Sequence, residues 1–108
     1  MAWIVELLDH RVQRELLDQP LDIQAQFVRI AELIRDKGPF AVGPPDVKHL
    51  QRELWEMRMR GRDGIARAIY VVVDDQRVTV VRIFTKKTEK TPPKELRLAQ
   101  RRAKEIES

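Results

Sequence analysis

Arg58, Arg60 and Arg67 are the residues whose type and spacing most invite chemistry. Arg58 and Arg60 stand two apart in Leu54–Arg60 (LWEMRMR), so on a strand both project from one face. Arg67 follows the short segment Gly61-Arg62-Asp63-Gly64. If that segment turns the chain back as a hairpin, the three guanidinium groups lie on adjacent strands near one another. Lys86 and Lys87 come directly after the next apolar run. Cations gathered in this way repel one another unless an anion lies between them. The planar fork of arginine fits phosphate in a bidentate way, and neighbouring positive charge lowers a lysine's pKa. A phosphodiester is the natural occupant. Lys48, His49, Arg62 and Lys90 flank the group and are candidates for further phosphate contacts. The competing expectation is that the arginines form ordinary surface ion pairs with Glu56, Asp63 and Glu89, and spacing alone does not choose between the two.

Other chemistries lack parts. The two histidines, His10 and His49, have no metal-ligand spacing, His49 reading as a loop residue just ahead of the strands. No glycine-rich phosphate loop occurs, and no pair of acids stands at a strand end. The chain has no cysteine, which removes a disulfide framework, a thiolate zinc site and a cysteine nucleophile, and fits a reducing compartment. Neither a cofactor nor a metal is expected. Trp55, Tyr70, Phe40 and Phe84 are too few and too apolar in context for a base-stacking platform, and Trp55 reads as core.

The elements that must position these residues follow from pattern. A length of 108 residues, 43% hydrophobic with four glycines and six prolines, suits a single ordered domain over 1–108 despite 35% charged residues. Ala2–Leu8 is a short apolar strand, and Asp9 is a helix cap for His10–Gln19, with Val12, Leu16 and Leu17 inward. Ile23, Phe27, Ile30 and Ile34 form one stripe of a helix over Leu21–Lys37, stopped by Gly38-Pro39. After the loop of residues 38–46 the period falls from about 3.6 to 2. Trp55, Met57 and Met59 take one face of the strand Leu54–Arg60, and Glu56, Arg58 and Arg60 the other. Ile65–Val73 and Arg77–Thr85 are the next strands, joined by a tight turn at Asp74-Asp75-Gln76. Thr91 and Pro92 then open a last helix, with Leu96, Ala99, Ala103 and Ile106 as its buried stripe.

The order β-α-α-β-β-β-α predicts an α+β two-layer domain with an antiparallel sheet, the first two helices on one face and a C-terminal helix. The arginines would then lie on a largely open face. No apolar run reaches the eighteen or so residues of a membrane span, nor does the amino terminus look like an export signal, so cytoplasm is expected. Net charge is +4, but residues 1–47 carry five basic and eight acidic side chains and residues 48–108 sixteen and nine. A field concentrated on the second part attracts a polyanion or an acidic partner.

The segments Lys48-His49-Leu50, Leu54-Trp55-Glu56-Met57-Arg58, Gly64-Ile65-Ala66-Arg67-Ala68-Ile69-Tyr70, Phe84-Thr85-Lys86-Lys87-Thr88 and Lys90-Thr91-Pro92 resemble the phage-derived HigB-like branch of the RelE/ParE toxins. The resemblance runs from Lys48 to Arg102, about half the chain. It implies the RelE fold, a toxin of a type II toxin–antitoxin system, and a ribosome-dependent endoribonuclease that cuts messenger RNA without a metal. It also implies a cognate antitoxin, often a helix-turn-helix protein, with the ribosome and messenger RNA as further partners. Under it Arg58, Arg60 and Arg67 match the basic pair and following arginine of the RelE site, and Lys86 or Lys87 the basic residue after the last strand. The reaction implied is attack of a ribose 2′-hydroxyl on the adjacent phosphate, needing a base, cations for the phosphorane and an acid for the leaving oxygen. Some members use a C-terminal tyrosine; here Thr88-Glu89-Lys90-Thr91 stands there, and the single tyrosine, Tyr70, sits mid-strand on the opposite parity to Arg67. Alternatives are a gyrase-poisoning toxin of the same fold and a non-catalytic phage module binding nucleic acid or a host protein.

Overall fold

The computed structural model describes residues 2–86 and 90–106. Its elements are β1 (Ile4–Leu7), α1 (His10–Leu17), α2 (Leu21–Lys37), β2 (Val47–Gln51), β3 (Leu54–Gly61), β4 (Gly64–Asp74), β5 (Arg77–Lys86) and α3 (Pro93–Ile106). The architecture is the expected α+β one, with an added strand. Val47–Gln51 pairs antiparallel with β3 at the sheet edge, so His49 is a strand residue and not a loop residue. Val47 is the one fully buried side chain in that segment, too few apolar positions for alternation to reveal a strand. The five strands run in the order β1-β5-β4-β3-β2. All pairs are antiparallel except β1 with β5, which is parallel, and the two helices carry the chain from β1 at one edge of the sheet to β2 at the other.

Each helix forms where its pattern predicted. The Asp9 carboxylate accepts the Arg11 backbone N–H at 2.9 Å and starts α1. On α2 the residues Ile23, Phe27, Ile30 and Ile34 are all buried against Met57, Met59 and Tyr70 of the sheet. Gly38 stops α2 at a φ of 84°, and a side chain there would strike the Trp3 indole 2.9 Å away. Leu17, expected inward, is 61% exposed, because α1 ends as its last turn passes the rim of the sheet.

The β3–β4 hairpin is docked to the start of α2. The Arg62 backbone N–H donates to Asp22 Oδ2 at 2.6 Å, and a Cβ at Gly61 would come within 2.8 Å of Asp22 and Ile23. A larger residue there would have to displace the Asp22 carboxylate and the Ile23 side chain. The opposite face is less open than the pattern suggested. Leu54, Ile69, Val71, Val81 and Phe84 make a second core with Ala99 and Ala103 of α3, which roofs part of it. A bulge in β5 between the partners of Ile69 and Tyr70 lets both Val81 and Arg82 contribute to this side.

One charged network, joined at Glu15, holds α3 in place. Arg82 donates to both carboxylate oxygens of Glu95, at 2.7 and 3.1 Å, and lies 2.8 Å from Glu15 of α1. Arg102 donates to Glu15 at 3.1 Å and to the Val81 carbonyl at 2.9 Å, while Glu15 accepts the Ile83 backbone N–H at 3.0 Å. Glu15 thus satisfies a strand-edge donor and ties α1 to α3 with one carboxylate. No helix among the described residues is long and apolar enough to cross a membrane.

Tyr70 faces the helices, as its parity predicted, and is fully buried, with no hydrogen-bond partner for its hydroxyl among the described residues. Burial pushes its ionisation well above the ordinary tyrosine value. An unfolded tyrosine ionises near pH 10, so a raised folded value gives stability that is intact below about pH 10 and declines as the pH rises beyond it. Because Tyr70 is the only tyrosine, tyrosinate absorbance in an alkaline titration should appear together with loss of the circular-dichroism signal. A tyrosinate transition near pH 10 in a still-folded protein would contradict this burial.

Candidate functional site

Strand register decides which side chains share the α3 face. Lys48 is opposite Glu56, Glu56 opposite Ile69, and Ile69 opposite Arg82. In the next row Arg58 faces Arg67, which faces Phe84; in the last, Arg60 faces Ile65, and Ile65 faces Lys86 at the end of β5. The hairpin register therefore brings Arg58, Arg60 and Arg67 together as expected. Two guanidinium groups directly opposite each other on one sheet face are unfavourable alone.

Glu56 resolves this conflict. Its side chain is 0% exposed, and its Oε1 accepts a very short hydrogen bond from Arg67 Nη1 and a longer one, 3.4 Å, from Arg58 Nε. Its Oε2 accepts the Thr91 hydroxyl at 3.0 Å. Thr91 therefore does not cap α3, which begins at Pro93; its hydroxyl serves the sheet instead. Arg67 is itself only 5% exposed. Desolvation pushes its guanidinium below the ordinary arginine value; the Glu56 carboxylate opposes that shift, and Arg58 and Arg60 reinforce it. The expectation of surface ion pairs is half realised: Glu56 is the partner, but the pair is buried. Glu89 lies outside the described residues.

Around this pair opens a cleft of about 280 Å³, lined by Lys48, Glu56, Arg67, Lys90, Thr91 and Leu96 among others. Lys48 and Lys90 are exposed on its rim, Arg58 is partly buried, and Arg60 is exposed one row further along β3. The arrangement presents several cations to one volume while a single carboxylate neutralises part of their charge. Such a site can hold a phosphate group and stabilise added negative charge on it. Among the described residues lining the cleft, Glu56 is the one carboxylate and no imidazole is present.

The remaining sequence candidates are placed elsewhere. His49 pairs with Trp55 on the helix-side face, its ring 4.8 Å from the indole and its Nε2 2.7 Å from the Arg52 carbonyl oxygen, away from the arginine face. The single-residue alternation of β2 puts Lys48 on the cleft side and His49 on the other. Arg62 stands exposed at the hairpin tip. Lys87 lies outside the described residues. Trp55, read as core, is partly buried and packs edge-on against Phe40 at 5.5 Å. No group of three or more His, Cys, Asp or Glu able to hold a metal occurs among the described residues. Glu56 and Thr91 are the members of the cleft that pattern alone did not assign to it. The signal for Glu56 was its shared parity with Arg58 and Arg60.

Comparison with known proteins bears on the family and the fold. The family described as "Phage derived protein Gp49-like" matches residues 14–104. The free-state structure of an arginine-to-alanine double variant of the E. coli toxin RelE superposes with a TM-score of 0.59 at 16% identity, covering 98% of this chain and 99% of that one. The archaeal RelE–RelB complex from Pyrococcus horikoshii OT3 gives a TM-score of 0.55 at 20% identity, over 79% of this chain and 96% of that chain. No curated protein sequence matches the chain.

Removing one partner from a buried ion pair strands the other. Glu56→Ala should therefore lower unfolding stability by about 3–5 kcal/mol, whereas Glu56→Leu combined with Arg67→Met should recover most of that loss. Urea denaturation measures both. A cost below about 0.5 kcal/mol for the single substitution, the size expected of a surface pair, would contradict the buried pairing.

Proposed function

Because the chain belongs to the phage-derived Gp49-like family and has the RelE fold, we propose that its 108 residues form one toxin domain of a type II toxin–antitoxin system that cleaves messenger RNA on the ribosome. The observation that carries this reading is that Arg58, Arg60 and Arg67 share the sheet face beside a cleft that Lys48, Arg67 and Lys90 line. Five cations in and beside the cleft suit a polyphosphate ligand better than a neutral or cationic one.

In the proposed reaction the 2′-hydroxyl oxygen of one nucleotide attacks its own 3′-phosphorus. The bond to the 5′-oxygen of the next nucleotide breaks, leaving a 2′,3′-cyclic phosphate and a free 5′-hydroxyl. Arg58 and Arg60 would hold the non-bridging oxygens and stabilise the phosphorane. Lys48 and Lys90 would fix the flanking phosphates. Arg67, buried and hydrogen-bonded to Glu56, would act as a positioning residue that adds positive potential from beneath. Lys86 or Lys87 would take the hydroxyl proton or supply one to the leaving oxygen. Charge stabilisation by side-chain cations asks for no metal.

The partners that go with this reading are a cognate antitoxin, the ribosome and messenger RNA, in the cytoplasm. A RelE/ParE-fold toxin without nuclease activity is the second reading, and one observation favours it: Arg58 and Arg67 are already paired with Glu56, which offsets part of their charge.

Induced expression in a bacterium followed by mapping of messenger-RNA 5′ ends tests the two. New cleavage sites should appear, and Arg60→Ala, which alters an exposed side chain, should reduce cleavage by about 10²-fold, the usual effect of losing one charge-stabilising donor. Growth arrest without new 5′ ends would overturn the nuclease, and arrest with loss of supercoiling would point to gyrase.

A further inference from the structure

A second basic depression lies beside the cleft. It measures about 430 Å³ and is lined by Gln51, Arg52, Arg97, Gln100, Arg101 and Lys104. Gln51 also lines the cleft, so the two are continuous. We propose that this groove, between the β2–β3 turn and the outer face of α3, binds successive phosphates of the RNA strand that enters the cleft. The inference rests on the RNA reading above and extends it from the scissile phosphate to the flanking chain.

Three observations carry it. First, Arg97, Arg101 and Lys104 recur at i, i+4 and i+7, so they form one exposed stripe along α3, and Lys94 prolongs it toward Lys90. Arg97 and Arg101 are about 6 Å apart along the helix axis, comparable with the step between phosphates of an extended strand. Compensation of the helix dipole accounts for Lys104 in the last turn but not for Arg97, nor for Arg52 on another element. Second, Arg52 has a φ of 49°, a left-handed conformation that glycine or asparagine adopts at lower cost. A cationic side chain thus stands at a turn where backbone preference argues against it. Third, Gln100 lines the groove, and its amide nitrogen has no hydrogen-bond partner among the described residues.

The lining also decides the class of ligand. All six residues are polar, four of them basic, with no aromatic or aliphatic anchor among them. A protein partner draws its affinity from buried apolar and aromatic anchors, whereas a phosphate backbone is held by this kind of cation and amide set. Nearby acids are engaged or sit to one side: Glu95 is bound to Arg82, Glu105 to Arg11, and Glu53 shares a neighbouring hollow with Lys104.

The test is the salt dependence of binding of a non-cleavable 2′-O-methyl oligoribonucleotide long enough to follow α3, with the full chain and with Arg97→Ala/Arg101→Ala. Both residues are exposed, so the variant should fold normally, which circular dichroism verifies. Each lost phosphate contact lowers the slope of log affinity against log salt by about 0.7 for a single strand, so the double variant should lose about 1.4. A trinucleotide confined to the cleft should bind both proteins equally. An unchanged slope would overturn the groove, as would loss of binding to an acidic protein partner with RNA binding intact. If the slope falls but no messenger RNA is cut in cells, the groove stands and the nuclease reading fails. If cleavage depends on Arg60 while the slope is unchanged, the groove alone fails.

Discussion

Placing the Glu56 carboxylate at full burial in the middle of a sheet is tolerable because Arg67, Arg58 and Thr91 each direct a donor at it. A carboxylate taken out of water with no partner would cost several kcal/mol and would protonate instead. The same bonds solve the converse difficulty. Arg58 and Arg67 are directly opposite one another on adjacent strands, and without the negative charge their repulsion would act in a poorly solvated volume. The pair consequently fixes the direction of both arginines, and through Thr91 it fixes where the chain rises from the sheet into α3. The cleft is the space left between those constraints.

The cleft wall has a second support in the Glu15, Arg82, Glu95 and Arg102 network. It fastens α3 at its first turn through Glu95 and in its third through Arg102. The small core of Ala99 and Ala103 over Ile69 and Val81 supplies close approach, since alanine lets the helix lie near the strands. Burial is modest, so charge does much of the orienting, and α3 is thereby a scaffold whose inner face packs and whose outer face carries the exposed cations Lys94, Arg97, Arg101 and Lys104. A helix whose Glu95 and Arg102 are held by two other elements, α1 and β5, has little freedom to rotate, which keeps Leu96 and Thr91 at the cleft edge.

How much of this was legible depended on whether a residue's fate was set locally. The α2 stripe of Ile23, Phe27, Ile30 and Ile34, the stop at Gly38 and the parity of Met57 and Met59 against Arg58 and Arg60 follow from period and turn chemistry, and all appear in the fold. Tyr70 was rightly turned toward the helices by the same parity. What was not legible depended on long-range placement. Strand β2 has a single buried side chain, so nothing local marks it, and His49 looked like a loop residue near the basic cluster when one step of alternation sends it to the other face. Thr91 looked like a cap because the cap signature is local, whereas its partner Glu56 lies 35 residues earlier. The closing of the face by α3 required the bulge at Val81, which no pattern announces.

In the proposed complex the exposed and half-buried cations bind an RNA phosphate while the Glu56 pair beneath them stays intact. Nuclear magnetic resonance of the arginine Nε–Hε groups during titration with a 2′-O-methyl oligoribonucleotide tests this most directly. Saturable shifts at Arg58 and Arg60, with the Arg67 signal retained and still protected from exchange, are the predicted result. Absence of shifts at Arg58 and Arg60, or shifts confined to residues on the α1–α2 side of the sheet, would contradict it.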